Sequence, residues 1–316
     1  MDSKSKNPVQ DMVFVFQLQQ LLKKIQPDIL LNYTAKPNIY GTFAAKMNGI
    51  PCINNIAGLG FGFVAESATT KILSLLYRLS QRRADKVFFQ NPDDFAEFKR
   101  KNLVQDFNAD LLPGSGVDLK RFAYNPLEKE DSSPFIFLFI GRLLYSKGVN
   151  ILFDASKKIY ESENKSFKVI LVGESNVNNQ DAIPNDMIEK WNKENFFNYI
   201  GKTDNVYDVI KKSHCVVLPS YYREGTPRSV LEGLSTGRPI ITTKMPGCKT
   251  TVKDGYNGYL INPKDTDDLA EKMLTLINMS ILQLKEFGNN SRKMAEEKFD
   301  EHIVINKYLK TIKELT

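Results

Sequence analysis

Two glutamates eight positions apart, Glu224 and Glu232, frame a stretch suited to a phosphorylated, hydroxyl-rich ligand. Between them Gly225-Thr226-Pro227 reads as the opening of a helix, with Pro227 in the first turn, where its missing N–H does no harm. Before them, the short apolar β-branched run from His214 to Ser220 reads as a buried strand. Strand, tight loop and helix N-terminus, in that order, make a place for an anion, because first-turn N–H groups lack partners inside the helix. Gly225 and Thr226 would offer such groups to phosphate. Glu232, read as two turns into the helix, could accept both hydroxyls of a ribose, and Glu224 in the loop could face a sugar ring. A glutamate pair on a helix surface is ordinarily only solvated, so the reading depends on its neighbours.

The neighbour that matters is Gly141-Arg142-Leu143-Leu144-Tyr145-Ser146-Lys147-Gly148, which follows the strand-like run Phe135 to Ile140. Arg142 can fork onto phosphate oxygens, and Lys147 supplies a point charge. Fixed cations lower the cost of the charge that develops on a leaving diphosphate, with no metal required. Alone, Arg142 and Lys147 would read as solvated surface charges; with the Glu224 element they read as a clamp.

Other chemistry is sparse. Asp265-Thr266-Asp267 has the spacing of a metal-binding acidic triplet, but helix capping before Leu269 accounts for it, and no metal or cofactor is expected. The two histidines, His214 and His302, have no partner that would make either a base or a ligand. The three cysteines have no metal-ligand spacing, and a reduced cytoplasmic setting is the simplest reading.

The elements that must position these groups fall into two sets. Residues 135–301 alternate strand and helix, which implies a parallel sheet covered on both faces. The Gly/Pro loop at 111–118 and the polar stretch after it place a boundary, giving a first domain of residues 1–124 and a second of 125–301. In the first domain a helix over 8–26 leads to a strand at 29–32. Lys36-Pro37-Asn38 then forms a loop and cap at that strand's C-terminal end, where ligand contacts gather, although a plain capped turn explains it equally. The loop of alternating glycines at 58–63 permits close backbone approach. A basic helix over 68–83 shows an apolar stripe of Ile72, Leu75, Leu76 and Leu79, read as core with its charges solvated; lying on a membrane is the minority reading.

Composition agrees with this picture. With 316 residues, 42% hydrophobic and 25% charged, the chain is globular and long enough for two cores. No apolar run approaches the ~18 residues of a membrane span. A net charge of +6 is too small to argue for nucleic acid, and fits contact with an anionic membrane or a phosphate-bearing substrate.

The combination of GRLLYSKG at 141–148, EGTPRSVLE at 224–232, Gly237-Arg238-Pro239 and Asp254-Gly255-Tyr256-Asn257-Gly258-Tyr259 resembles the retaining glycosyltransferases of family four. The resemblance covers about residues 110–280. In the first half, YTAKPNIYG at 33–41, INNIAGLG at 53–60 and FFQNPDD at 88–94 look like bacterial transferases of surface-polysaccharide and lipid-linked oligosaccharide assembly, several of which move N-acetylgalactosamine or a related sugar from a UDP donor. The resemblance implies an α/β GT-B fold of two facing Rossmann-like domains, with a C-terminal helix at about 302–316 crossing back onto the first. It implies that Arg142 and Lys147 bind the diphosphate with Gly141 beside them, and that Gly225 and Thr226 donate to phosphate. Glu224 would contact the donor sugar and Glu232 the ribose. Substrate contacts at Lys36 and Asn38 would complete the set. Partners would be a nucleotide sugar, a lipid-linked or glycan acceptor and the cytoplasmic membrane face, without nucleic acid. Relative to the family the first domain lacks an opening strand and Gly-rich loop. This raises the alternative of a non-catalytic donor-binding fragment or half of a split enzyme. A nucleotide-sugar epimerase would need a base that the histidines do not offer.

Overall fold

The computed structural model describes residues 8–60, 68–128, 133–163, 165–175 and 178–316. It divides into a unit of Met1–Ser115, Arg223–Thr226 and His302–Thr316, and a second of Gly116–Tyr222 and Pro227–Glu301. The division falls nearer the N-terminus than the expected 124/125. Val117 pairs with Asp300, and Val117, Phe122 and Leu127 all pack in the second unit's core.

The first unit begins with α1 (Pro8–Ile25), β1 (Leu30–Tyr33) and a π-helical turn (Pro37–Gly41) that runs into α2 (Thr42–Met47). There follow β2 (Cys52–Ile56), α3 (Ala68–Gln81), β3 (Lys86–Phe89), α4 (Pro92–Arg100) and β4 (Ala109–Leu111). The strands pair in parallel in the order β1-β2-β3-β4. Alternation along the strands splits the apolar residues between the two faces. Cys52, Val87 and Phe89 join the core under the helices, while Ile53 and Phe88 belong to the opposite face.

The sidedness of α3 departs from expectation. Leu73, Leu76 and Tyr77 face the core, whereas Ile72, Leu75 and Leu79 are 62, 55 and 42% exposed. Periodicity locates two apolar stripes on this helix but does not say which one is covered. The Gly58 loop is described only as far as Gly60; Phe61, Gly62 and Phe63 lie outside the described residues.

In the second unit come β5 (Phe135–Ile140), α5 (Val149–Ser162), β6 (Phe167–Val172), α6 (Asn185–Trp191), β7 (Phe197–Tyr199) and α7 (Val206–Lys211). They are followed by β8 (Cys215–Leu218), α8 (Arg228–Thr236), β9 (Ile240–Thr243), β10 (Gly258–Ile261), α9 (Thr266–Asn278) and α10 (Ile281–Met294). All six strands are parallel, in the order β10-β9-β8-β5-β6-β7. The chain thus builds outward from β5 through β6 to β7, then returns to β5's other side with β8. That reversal between β5 and β8 is a topological switch point, and ligands in open α/β sheets bind beyond the C-terminal strand ends there.

Two buried polar residues brace this unit. Arg238 is 0% exposed and donates to the carbonyls of Ile210 (3.0 Å), Lys211 (3.0 Å) and Asn125 (2.9 Å), and to Asn125 Oδ1 (2.7 Å). Burial pulls its guanidinium down to about 10. His214 accepts the Ile136 N–H at Nδ1 (2.9 Å) and stacks on Phe135, a structural use of the imidazole. Asp265 caps α9 by accepting the Asp268 N–H (2.9 Å). A helix missed in the sequence, α10, starts from a full capping box between Ser280 and Gln283.

The last helix, α11 (Glu301–Leu315), returns to the first unit. It covers the sheet face carrying Ile53 and Phe88 with Val304, Tyr308, Ile312 and Leu315. Asn55 donates to the Tyr308 hydroxyl (2.8 Å), and Lys307 pairs with Asp110 (2.9 Å).

Candidate functional site

At the switch point of the second unit, β5 ends and the chain turns through Gly141 and Arg142. A short 3-10 turn, Tyr145–Lys147, follows, and then Gly148 at φ 77°. A side chain at Gly148 would be strained at this φ, and its Cβ would lie 2.1 Å from the Pro219 carbonyl oxygen, so only glycine lets the two loops close. The loop after β8 completes the closure: the Tyr221 and Tyr222 N–H groups donate to the Ser146 carbonyl at 2.9 and 3.1 Å. Asp181 supports the turn from below, accepting from the Ser146 N–H (3.1 Å) and from its hydroxyl. Arg142 is exposed. Lys147 is half-buried, with Nζ 5.8 Å from the centroid of the Tyr222 ring. The fold therefore holds both cations on a rigid backbone at the C-terminal edge of the sheet, where an anion can approach.

Pro227 stands just outside α8, in extended conformation at ψ 118°, and not within its first turn as the sequence suggested. Its carbonyl still accepts the first helical N–H groups, from Val230 (3.1 Å) and Leu231 (3.2 Å). No side chain caps this terminus. Glu232 accordingly lies little more than one turn in. It is 8% exposed, with Oε1 3.1 Å from Arg228 Nε. Burial raises its carboxyl above the ordinary range, opposed by the charges of Arg228 and Arg121. A carboxylate held nearly out of water on the helix after the switch-point loop is well placed to accept hydroxyls.

Glu224, Gly225 and Thr226 group with the first unit, through anchors the sequence did not reveal. Arg223 Nε pairs with the fully buried Asp94 at 2.6 Å. Asn91 Nδ2 donates to the Glu224 carbonyl (3.1 Å), and the Thr226 hydroxyl donates to the Gln90 carbonyl (2.8 Å). The Gly60 N–H donates to the Arg223 carbonyl (3.1 Å). A Cβ at Gly225 would meet Ala57 backbone at 2.8 Å, and one at Gly58 would meet the Gly225 nitrogen at 2.5 Å. Close backbone approach is thus the use of the Gly58 loop. One signal was available: Asn91 before Pro92 is a helix cap, and Asn91 does accept the Asp94 N–H at 2.8 Å.

Lys36 and Asn38 differ from expectation. The segment winds into a helical turn, with the Asn38 N–H bonded to the Thr34 carbonyl (3.0 Å), so no open loop forms. Lys36 Nζ lies 2.8 Å from Asp11, which also accepts from the Tyr40 hydroxyl (2.7 Å). Asn38 is 1% exposed; its amide donates to the Asn55 carbonyl (2.7 Å), and its own carbonyl receives Thr42, Asn54 and Gln81. Both are built into the first unit's polar core and its supports.

Residues 122–294 match the family described as glycosyl transferases group 1, and residues 1–91 match glycosyl transferase 4-like. A Campylobacter jejuni N,N'-diacetylbacillosaminyl-diphospho-undecaprenol alpha-1,3-N-acetylgalactosaminyltransferase is 27% identical, across 97% of this chain and 82% of that protein. An Escherichia coli UDP-Gal:alpha-D-GlcNAc-diphosphoundecaprenol alpha-1,3-galactosyltransferase is 28% identical, across 87% of this chain and 73% of that protein. Among solved structures, HepE of Anabaena in complex with UDP-glucose superposes with a TM-score of 0.80 at 18% identity, across 98% of this chain and 84% of HepE. The fold is that of the GT-B proteins.

Proposed function

This chain belongs to the group 1 glycosyltransferases of family four, and from that premise we propose that it moves a hexose or N-acetylhexosamine from UDP to a hydroxyl of a lipid-linked acceptor, with retention of configuration. The observation that carries the reading is the switch-point loop pair, which fixes Arg142 and Lys147 beside the C-terminal ends of β5 and β8. The two cations take the diphosphate. Glu232 takes the ribose hydroxyls, Glu224 the donor sugar, and the N–H groups of Gly225 and Thr226 the phosphate oxygens. The acceptor oxygen bonds to the anomeric carbon on the face that the diphosphate leaves. Its proton passes to the departing phosphate oxygen, so no protein base is consumed. Cations set in advance stabilise the leaving charge without a metal. The acceptor class comes from the two relatives above, both named for diphospho-undecaprenol acceptors. The enzyme would work at the cytoplasmic membrane face; no described helix is long and apolar enough to span a bilayer.

Incubation with UDP-sugars and a polyprenyl-diphosphate-linked saccharide, followed by NMR of the product, tests this. UDP release with a new α linkage from an α donor is expected. Nucleotide binding without product would reduce the chain to a donor-binding protein, and a β linkage would remove the retaining mechanism.

A further inference from the structure

Among the described residues, a strongly amphipathic surface that the proposed chemistry does not use is the outer face of α3. At about 100° per residue, Lys71, Ile72, Leu75, Arg78, Leu79 and Arg82 fall within one arc of about 120°. Arg83 extends the arc just past the helix end, donating to the Leu79 carbonyl at 2.9 Å. The opposite side of the helix, with Leu73, Leu76, Tyr77 and Ser80, packs into the first unit, so the outer apolar side chains have no core to serve. Residues 68–83 contain four cations and no acidic residue. The next acid, Asp85, is engaged by Lys46 at 2.6 Å. The face therefore carries Lys71, Arg78 and Arg82 along one margin with Leu75, Leu79 and Ile72 beside them, and Arg83 follows past the helix end. By contrast, α1 exposes Met12 and Phe16 but keeps its basic residues in its last turn.

Large apolar side chains flanked by one lysine and three arginines match a bilayer surface bearing anionic headgroups. The apolar groups sink to the acyl boundary while the cations stay among the phosphates. A second copy of this chain would set the same cations against each other. We propose that α3 is a membrane-docking helix that lies in the plane of an anionic bilayer through Ile72, Leu75 and Leu79, with Lys71, Arg78, Arg82 and Arg83 on the headgroups. This rests on the lipid-linked acceptor reading only for the choice of a membrane as the surface; the docking itself needs no turnover.

Flotation of the full chain with vesicles decides it. Phosphatidylcholine vesicles containing phosphatidylglycerol are expected to carry the protein, and phosphatidylcholine alone to carry far less. Each arginine removed weakens partitioning by about fivefold, so Arg78→Gln/Arg82→Gln/Arg83→Gln loses roughly 100-fold and most of the salt sensitivity. Ile72→Ser/Leu75→Ser/Leu79→Ser lowers flotation at every salt concentration while leaving UDP affinity unchanged. If the serine variant does not fold, the arginine variant carries the test alone, since its changes are on the surface. Three results overturn the proposal: no flotation of the wild-type chain, wild-type flotation of the arginine variant, or a wild-type dimer in solution that the serine variant turns into monomer. An Arg142→Ala enzyme that floats normally while its kcat falls about 10²–10³-fold separates docking from catalysis.

Discussion

Glu232 holds its carboxylate almost out of water, and that burial governs its chemistry. The fold favours the protonated form, so without ligand this group adds stability at low pH, and the contribution is lost as pH rises through its raised value. Ribose hydroxyls reverse the preference by donating to the charged form. UDP affinity is therefore expected to fall as pH drops through the raised value of Glu232, measured by calorimetry. Glu232→Gln would lose this part of the pH dependence and about tenfold or more in affinity, the range of a hydrogen bond to a charged group. The diphosphate titrates in both proteins, so the difference between their profiles reports Glu232 alone. Equal profiles would remove it from the ribose. Arg238 is the second residue that behaves by burial. Part of the Gly237-Arg238-Pro239 motif, it holds four carbonyl and amide oxygens inside the second unit. Arg238→Ala is expected to cost about 3 kcal/mol or more in chemical denaturation, because those acceptors would lose their donors without gaining water.

Among the elements, the 223–226 strip shows how a loop becomes a positioned group. Arg223 pairs with Asp94, whose carboxyl burial pushes up against the opposing pull of Asn91 and Arg223, while Asn91 and Gln90 fix the strip's backbone. Arg223→Met strands a buried carboxylate, with an expected cost of about 3–5 kcal/mol; Asp94→Leu in addition recovers most of it. At temperatures where the single variant stays folded, kcat is expected to fall further than UDP affinity, because Glu224 is displaced with the Gly225 and Thr226 N–H groups while Arg142, Lys147 and Glu232 still hold the nucleotide. A fall in UDP affinity equal to that in kcat would speak against this anchoring. The same scale shows what sequence could reveal. FIFLFI and CVVL are continuous apolar runs, and FKVILV is broken only by the exposed Lys168, because both faces of those strands are largely covered, and they were legible. Three-residue β4 and the polar α10 carry too little periodic signal. The outward face of α3 was misjudged because its outer stripe is as apolar as its inner one. The loop expected at Lys36-Pro37-Asn38 was not legible as the π-helical turn that forms there.

For the whole molecule, two parallel sheets divide the labour legibly. The second carries its cations at a switch point that the order of strands alone predicts. The motifs there were readable because glycines, cations and carboxylates sit at fixed loop positions. The supports from Asp181, Asn91 and Asp94 were not, because distant stretches of chain bring them in. The central claim is that Arg142 and Lys147 stabilise the leaving diphosphate. It is tested most directly by the steady-state rate of sugar transfer from a UDP-sugar to a polyprenyl-diphosphate-linked acceptor, in the wild type and in the Arg142→Ala and Lys147→Ala variants. Each substitution is expected to lower kcat by about 10²–10³-fold, the scale of removing one fixed transition-state donor. Wild-type rates in both variants would contradict it.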